Sequence, residues 1–317
     1  MTMFYFIMQS TLLFTVPLVI VALGGLFSEK AGVVNIALNG KMIMGAFTGI
    51  LLIHMFQDRL PGTPILLLAI LVAMLTGMIV SLFHAYASIT LKANQIISGV
   101  ALNMFAPAFA VFNAWLIVES QNIRFENQFR IASVPVLGSI PFIGPMFFQN
   151  AYITTILGIV ILLVTIFVLY KTKFGLRLRA CGEHPHAADS VGISVAKMRY
   201  TGVIISGALA GIGGVVYVIP MTTVFDGDVS GYGFLALAVL IFGAWKPQRI
   251  LFAAIFFGFM QAIAASHSAI GVLNALNIPS QFYRMTPYIA TLVVLAFTSK
   301  NTMAPKAVGQ PYDKGGR

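Results

Sequence analysis

The sequence predicts an all-α protein that crosses a membrane about eight to ten times. Three observations predict it. Hydrophobic residues make up 59% of the 317 positions, charged residues only 9%, and mean hydropathy is +0.93; a soluble domain carries roughly 25% charged residues. The few charges bound long uncharged stretches at 1–28, 42–57, 60–91, 93–118, 131–170, 200–225, 229–245, 250–283 and 285–299. Finally, the chain has a single cysteine, Cys181, so neither an intrachain disulfide nor a cysteine-built cluster replaces a hydrophobic core. A net charge of +10 in so apolar a chain reads as membrane topology, and nucleic acid is not expected as a partner.

In chain order, Met1–Gln9 lacks a basic leader, so the first stretch is expected to remain a helix rather than a cleaved signal. Residues 28–57 are the least regular, and a short or broken helix there would change the parity of the crossings. The cleanest span is Ala151–Tyr170, which ends at Lys171. The outer loop, about 119–150, contains Pro135, Pro141 and Pro145 and is expected to lie as short amphipathic pieces on the outer surface. Residues 1–299 are read as one transmembrane domain. The tail, 300–317, has a disordered composition.

Lys and Arg collect in short cytoplasmic loops. The segment 171–199 carries Lys171, Lys173, Arg177, Arg179, Lys197 and Arg199 and is placed inside. Alternating from it also puts the tail, Lys246 and Arg249, and Lys30, Lys41 and Lys92 inside, leaving Arg59, Arg124, Arg130 and Arg284 outside.

Catalytic chemistry is sparse. HExxH, GxSxG and the G-x-x-x-x-G-K-[ST] phosphate loop are all missing, so any ATP must be hydrolysed by another chain. Cys181, Glu183, His184, His186 and Asp189 are five potential metal ligands in nine residues. Pro185 suits the first position of a helix and Gly192 the residue past its end, so 185–191 reads instead as a short helix. His54, His84 and His267 fall near span ends as interfacial histidines, and no carboxylate lies within a span, which argues against ion-coupled transport.

Uncharged polar residues are more telling. Asn35 and Asn39 lie in GVVNIALNGK, and Asn94, Gln95, Ser98 and Asn103 in ANQIISGVALN, where 95, 99 and 103, or 94, 98 and 102, share a helix face. Such groups either bond neighbouring helices or line a wet cavity for a neutral, hydrogen-bonding substrate. Gly207, Gly211 and Gly214 give a close-packing face. Tyr232 and Phe234, with Phe225, flank Asp226 and Asp228 as an aromatic belt or an outer gate.

GLRLRACGEHPHAADSVGISVAKMRYTGVIISGALAGIGG resembles the main cytoplasmic loop and following span of permeases in bacterial ATP-binding-cassette importers for branched-chain amino acids, simple sugars and nucleosides. SEKAGVVNIALNG and GYGFLALAVLIFGAWKP match as well, and the chain is most similar to the shorter permease of nucleoside importers, which its length suits. The resemblance implies about ten helices in two inverted halves, as in cobalamin importers. It implies a coupling helix at 185–191, with Gly182, Glu183, Pro185, Ala187, Ala188, Gly192 and Ile193 contacting the ATPase, and a path near Asn35, Asn39, Gln95, Asn103, Tyr232 and Phe234. The implied partners are a second similar permease, an ATPase with two nucleotide-binding halves that holds ATP and Mg2+, a substrate-binding lipoprotein outside, and membrane lipid. This chain is expected to bind no cofactor itself. Where relatives often read Asn–x–Gly–x–Glu–Gly, it has Asn35-Ile-Ala-Leu-Asn39-Gly40. A permease for sugars or other neutral solutes, or a carrier or channel acting alone, is the alternative.

Overall fold

A computed structural model describes residues 2–60, 62–126, 129–133, 138, 140–141, 144–270, 278–298 and 303–314. Pro135, Lys300 and Arg317 lie outside the described residues. The chain is an all-α polytopic bundle. Among the described residues, seven helices are long and apolar enough to cross a membrane: α1 (Thr2–Lys30), α2 (Leu38–Phe56), α3 (Thr63–Ala85, continued by a π turn to Thr90), α4 (Gln95–Val118), α5 (Ile153–Lys171), α8 (Val195–Met221) and α10 (Pro247–Ser266). Between them lie α6 (Lys173–Glu183), α7 (Pro185–Ser190) and the eleven-residue α9 (Tyr232–Phe242); α11 is Ser280–Thr298.

Small residues let the central helices touch backbone to backbone. A Cβ at Gly207 of α8 would collide with Gly77 and Ser81 of α3, and one at Gly211 with the carbonyl of Ala73. Gly45 of α2 meets Gly211, and Gly214 meets Met42. Lipid tails are as apolar as leucine, so such packing, rather than exclusion of water, holds membrane helices together.

The ends of the bundle are distinct. At one end, β1 (Ile123–Arg124) pairs with β4 (Val224–Phe225), β2 (Arg130–Ser133) with β3 (Gln149–Tyr152), and His54 Nδ1 lies 2.7 Å from the Arg124 carbonyl. At the other, Lys92 pairs with Asp313 at 3.0 Å, the Ala307 N–H donates to the Gly182 carbonyl, and Trp245 Nε1 donates to Glu29 Oε2 at 2.5 Å.

Five expectations need correction. Among its described residues, the 119–150 connection forms short paired strands instead of amphipathic pieces, because pairing satisfies irregular backbone beside the buried rings of Phe125 and Phe129. Lys41 is no loop residue; it lies in the first turn of α2 and is fully buried. Arg284 does not end a helix, since α11 runs through it. His84 is buried rather than interfacial. The tail is placed rather than free over 303–314, because its backbone bonds to Gly32 and Gly182 and Ala307 is buried.

Candidate functional site

Two polar regions stand out, and both are built around breaks in helices. The first is the α1–α2 connection, residues 31–37, which is irregular and enters the bundle beside α4. Its Val34 N–H donates to Gln95 Oε1 at 2.8 Å in the first turn of α4, and its Ile36 carbonyl accepts from Asn103 Nδ2 at 2.9 Å two turns further on. Asn103 Oδ1 also takes the Gly40 N–H at 2.7 Å. The Val34 carbonyl only accepts, so His84 Nε2 donates to it at 3.0 Å, and on a neutral ring Nδ1 accepts from Ser98 Oγ at 3.1 Å. Asn35 Nδ2 donates to Ser206 Oγ of α8 at 2.6 Å, and Lys41 Nζ donates to Asn35 Oδ1 at 2.8 Å. Asn39 Oδ1 accepts the Gly233 N–H at 3.1 Å, tying α2 to the start of α9.

Irregular backbone at membrane depth survives only where its N–H and C=O groups find partners, and these amides are those partners. Asn35, Asn39, Gln95 and Asn103 therefore come together as one junction. Of the two faces open on α4, 95–99–103 is the inward one: Gln95 and Gly99 are buried, and a Cβ at Gly99 would lie 3.2 Å from the Ala37 nitrogen. Tyr232 is buried against Tyr217, ring centroids 4.1 Å apart, while Phe234 in the same turn of α9 is exposed.

The second region is the surface of α7. Thr172 caps α6, accepting the Gly175 N–H at 3.1 Å, and Gly182 packs against the Lys30 carbonyl. His184 separates α6 from α7, Pro185 opens α7, and Gly192 closes the turn at φ +81°, where an L side chain is strained. Cys181, Ala188 and Val195 form an apolar knot with partly buried Ile193, so α7 is fixed on one side. His186, Ala187, Gly192 and Val191 face out, Val191 being 74% exposed. Glu183 accepts the Lys306 N–H at 3.4 Å.

Among the described residues, no group of three or more His, Cys, Asp and Glu converges as a metal site. Burial pushes the Cys181 thiol up, which keeps it protonated. The region offers binding surfaces.

Lys41, His84, Arg199 and the tail were not singled out as site residues from sequence. For Arg199 a signal existed: it follows Val195 by four residues and precedes Gly202, Val203 and Ser206, all on the buried face of α8.

Comparison with known proteins fits this architecture. The chain is 45% identical to the guanosine ABC transporter permease protein NupQ of Bacillus subtilis over 98% of its length and 97% of the relative. It is 38% identical to the nucleoside ABC transporter permease protein NupC of Lactococcus lactis, over 97% and 96%. The nucleoside ABC transporter permease protein NupB of the same organism matches at 26%, over 92% of this chain and 79% of the relative. Residues 7–296 match the family described as branched-chain amino acid transport system / permease component, and the chain belongs to that family.

Proposed function

We propose that this chain is a permease subunit of an ATP-driven nucleoside importer. The observation that carries this is the near full-length similarity to permeases named for guanosine and nucleosides. The subunit does not catalyse; ATP and Mg2+ belong to a partner ATPase. A second, related permease completes the path, a pairing supported by the two nucleoside permeases of one Lactococcus that both resemble this chain. A substrate-binding lipoprotein delivers the nucleoside from outside.

The end holding α6, α7 and the tail is cytoplasmic in this reading, consistent with its Lys and Arg. There α7 is the coupling helix: Gly182, Ala188 and Ile193 anchor it, and Pro185, Ala187 and the Gly192 turn meet the ATPase. The energy of ATP enters by differential contact in two states, and a short helix pinned on one side and bare on the other suits that task. Along the path, exposed Phe234 and Tyr288 offer apolar rings to a nucleobase. The amides of Asn35, Asn39, Gln95 and Asn103 shape the wall by holding its backbone.

The test is uptake of radiolabelled guanosine by cells carrying the importer. Glu183→Ala and Gly192→Leu are expected to abolish uptake while the lipoprotein keeps its affinity for guanosine. Uptake that persists after deletion of the ATPase would instead show a carrier acting alone.

A further inference from the structure

Residues 303–314 are tied to several cytoplasmic-end elements. The Ala307 N–H donates to the Gly182 carbonyl at 2.9 Å, and the Gly309 N–H to the Gly32 carbonyl at 3.2 Å. The Gln310 carbonyl accepts from Arg199 Nη1 at 2.9 Å, and Asp313 pairs with Lys92. The Tyr312 ring packs on His186, centroids 5.1 Å apart. Between this strap and α7 lies a cleft of about 550 Å3, lined among others by His184, His186, Arg199, Lys306 and Tyr312.

The cleft carries two cations, Arg199 and Lys306, against one carboxylate, Glu183, and Arg199 is incompletely satisfied. Arg199 is 1% exposed, yet only Nη1 has a partner, a neutral carbonyl; Nε and Nη2 have none among the described residues. A buried guanidinium is costly unless a counter-charge meets it. Neither nearby acid supplies one: the ionisable neighbours of Arg199 are Cys181 and Tyr312, while Glu183 accepts the Lys306 N–H and Asp189 bonds the Tyr312 side chain. A carboxylate matches the fork geometry of guanidinium.

We infer that the cleft between α7 and the tail receives an acidic side chain of the partner ATPase, the tail forming one wall of the docking site. The inference rests on the permease reading above and extends the docking surface beyond α7. It gives the unpaired charge of Arg199 a role and explains why the strap is fixed against the very segment that couples.

The experiment uses the complete permease pair in nanodiscs and measures the ATPase dissociation constant against salt. Lys306 and His186 are exposed, so Lys306→Glu and His186→Glu leave the helical bundle intact; His186→Phe, which keeps a ring on Tyr312, controls for loss of that contact. Each charge-changing variant is expected to weaken ATPase binding about tenfold and to flatten its salt dependence. An Asp→Lys or Glu→Lys change on the ATPase is expected to restore binding to Lys306→Glu. Removal of residues 303–317 is expected to weaken binding at least as much. Unchanged affinity and salt dependence in both charge-changing variants would overturn the inference, as would competition by inorganic phosphate with no rescuing ATPase variant, which marks a free-anion site. Failure of the unaltered permease pair to bind the ATPase at all would strike the permease reading instead.

Discussion

α8 and α5 are both long apolar spans, yet they are built on different terms. In α1, α2 and α8 the most apolar stretch is 78%, 72% and 72% buried within the chain; in α4 and α5 it is 17% and 28%. The central helices meet through glycines and carbonyls, whereas α4 and α5 turn Phe112, Trp115, Leu163 and Phe167 outward. In water the second group would be intolerable. In lipid, an outward leucine costs nothing, so hydrophobicity does not distinguish the two regions and the distribution of small residues does. The central helices form a close-packed body, and the periphery carries the apolar faces that this chain leaves uncovered.

The sharpest way to break that comparison is a methyl group. Gly211→Ala in α8 drives a Cβ into the Ala73 carbonyl, an obstruction of backbone on both sides. Gly158→Ala in α5 meets side chains alone, Val16 Cγ1 at 2.8 Å and Ile20 Cδ1 at 3.8 Å, which yield by a small shift more readily than backbone does. Gly211→Ala is expected to cost about 3 kcal/mol or more and Gly158→Ala about 1 kcal/mol. Thermal unfolding of the purified chain in detergent reads the difference. Equal losses would mean that the central body is no more rigid than the rim.

A smaller effect separates two asparagines on one helix. Asn103→Leu strips partners from the Gly40 N–H and the Ile36 carbonyl, each worth about 1–3 kcal/mol when buried and unpaired. Asn113 donates only to the Phe109 carbonyl one turn back, at 2.8 Å, and that carbonyl sits within the helix ladder. Asn113→Leu is therefore expected to change stability by less than about 0.5 kcal/mol. The same thermal measurement checks both.

Much of this was legible in the sequence. Uncharged stretches located α4 and α5 to within a few residues, the ISGALAGIGG face was rightly a packing face, and Pro185 with Gly192 bracketed α7. What failed shares one cause. Charges were taken as loop markers, but Lys41 is held inside by Asn35, and Arg199 by the tail. Polar amides were open to two roles because their partners, the Val34 N–H and the Ile36 carbonyl, belong to a segment whose irregular path depends on tertiary contact. Strand pairing between 123–124 and 224–225 spans a separation that no local pattern encodes.

The smallest predicted effect sharpens the account of the periphery. Leu163 of α5 is 59% exposed and Phe112 of α4 is 59% exposed, so by exposure alone they are equivalent. In the isolated chain, Leu163→Ala and Phe112→Ala are each expected to shift stability by no more than about 0.5 kcal/mol, since lipid or detergent replaces the lost contacts. In the assembled importer the two need not agree. A face covered by another subunit loses packed atoms on truncation and a lipid-facing one does not, so the helix that becomes sensitive only on assembly is the one at the subunit contact. Insensitivity of both in the complete complex would place the contact on neither helix and shift it to the exposed apolar faces of α3, α10 and α11.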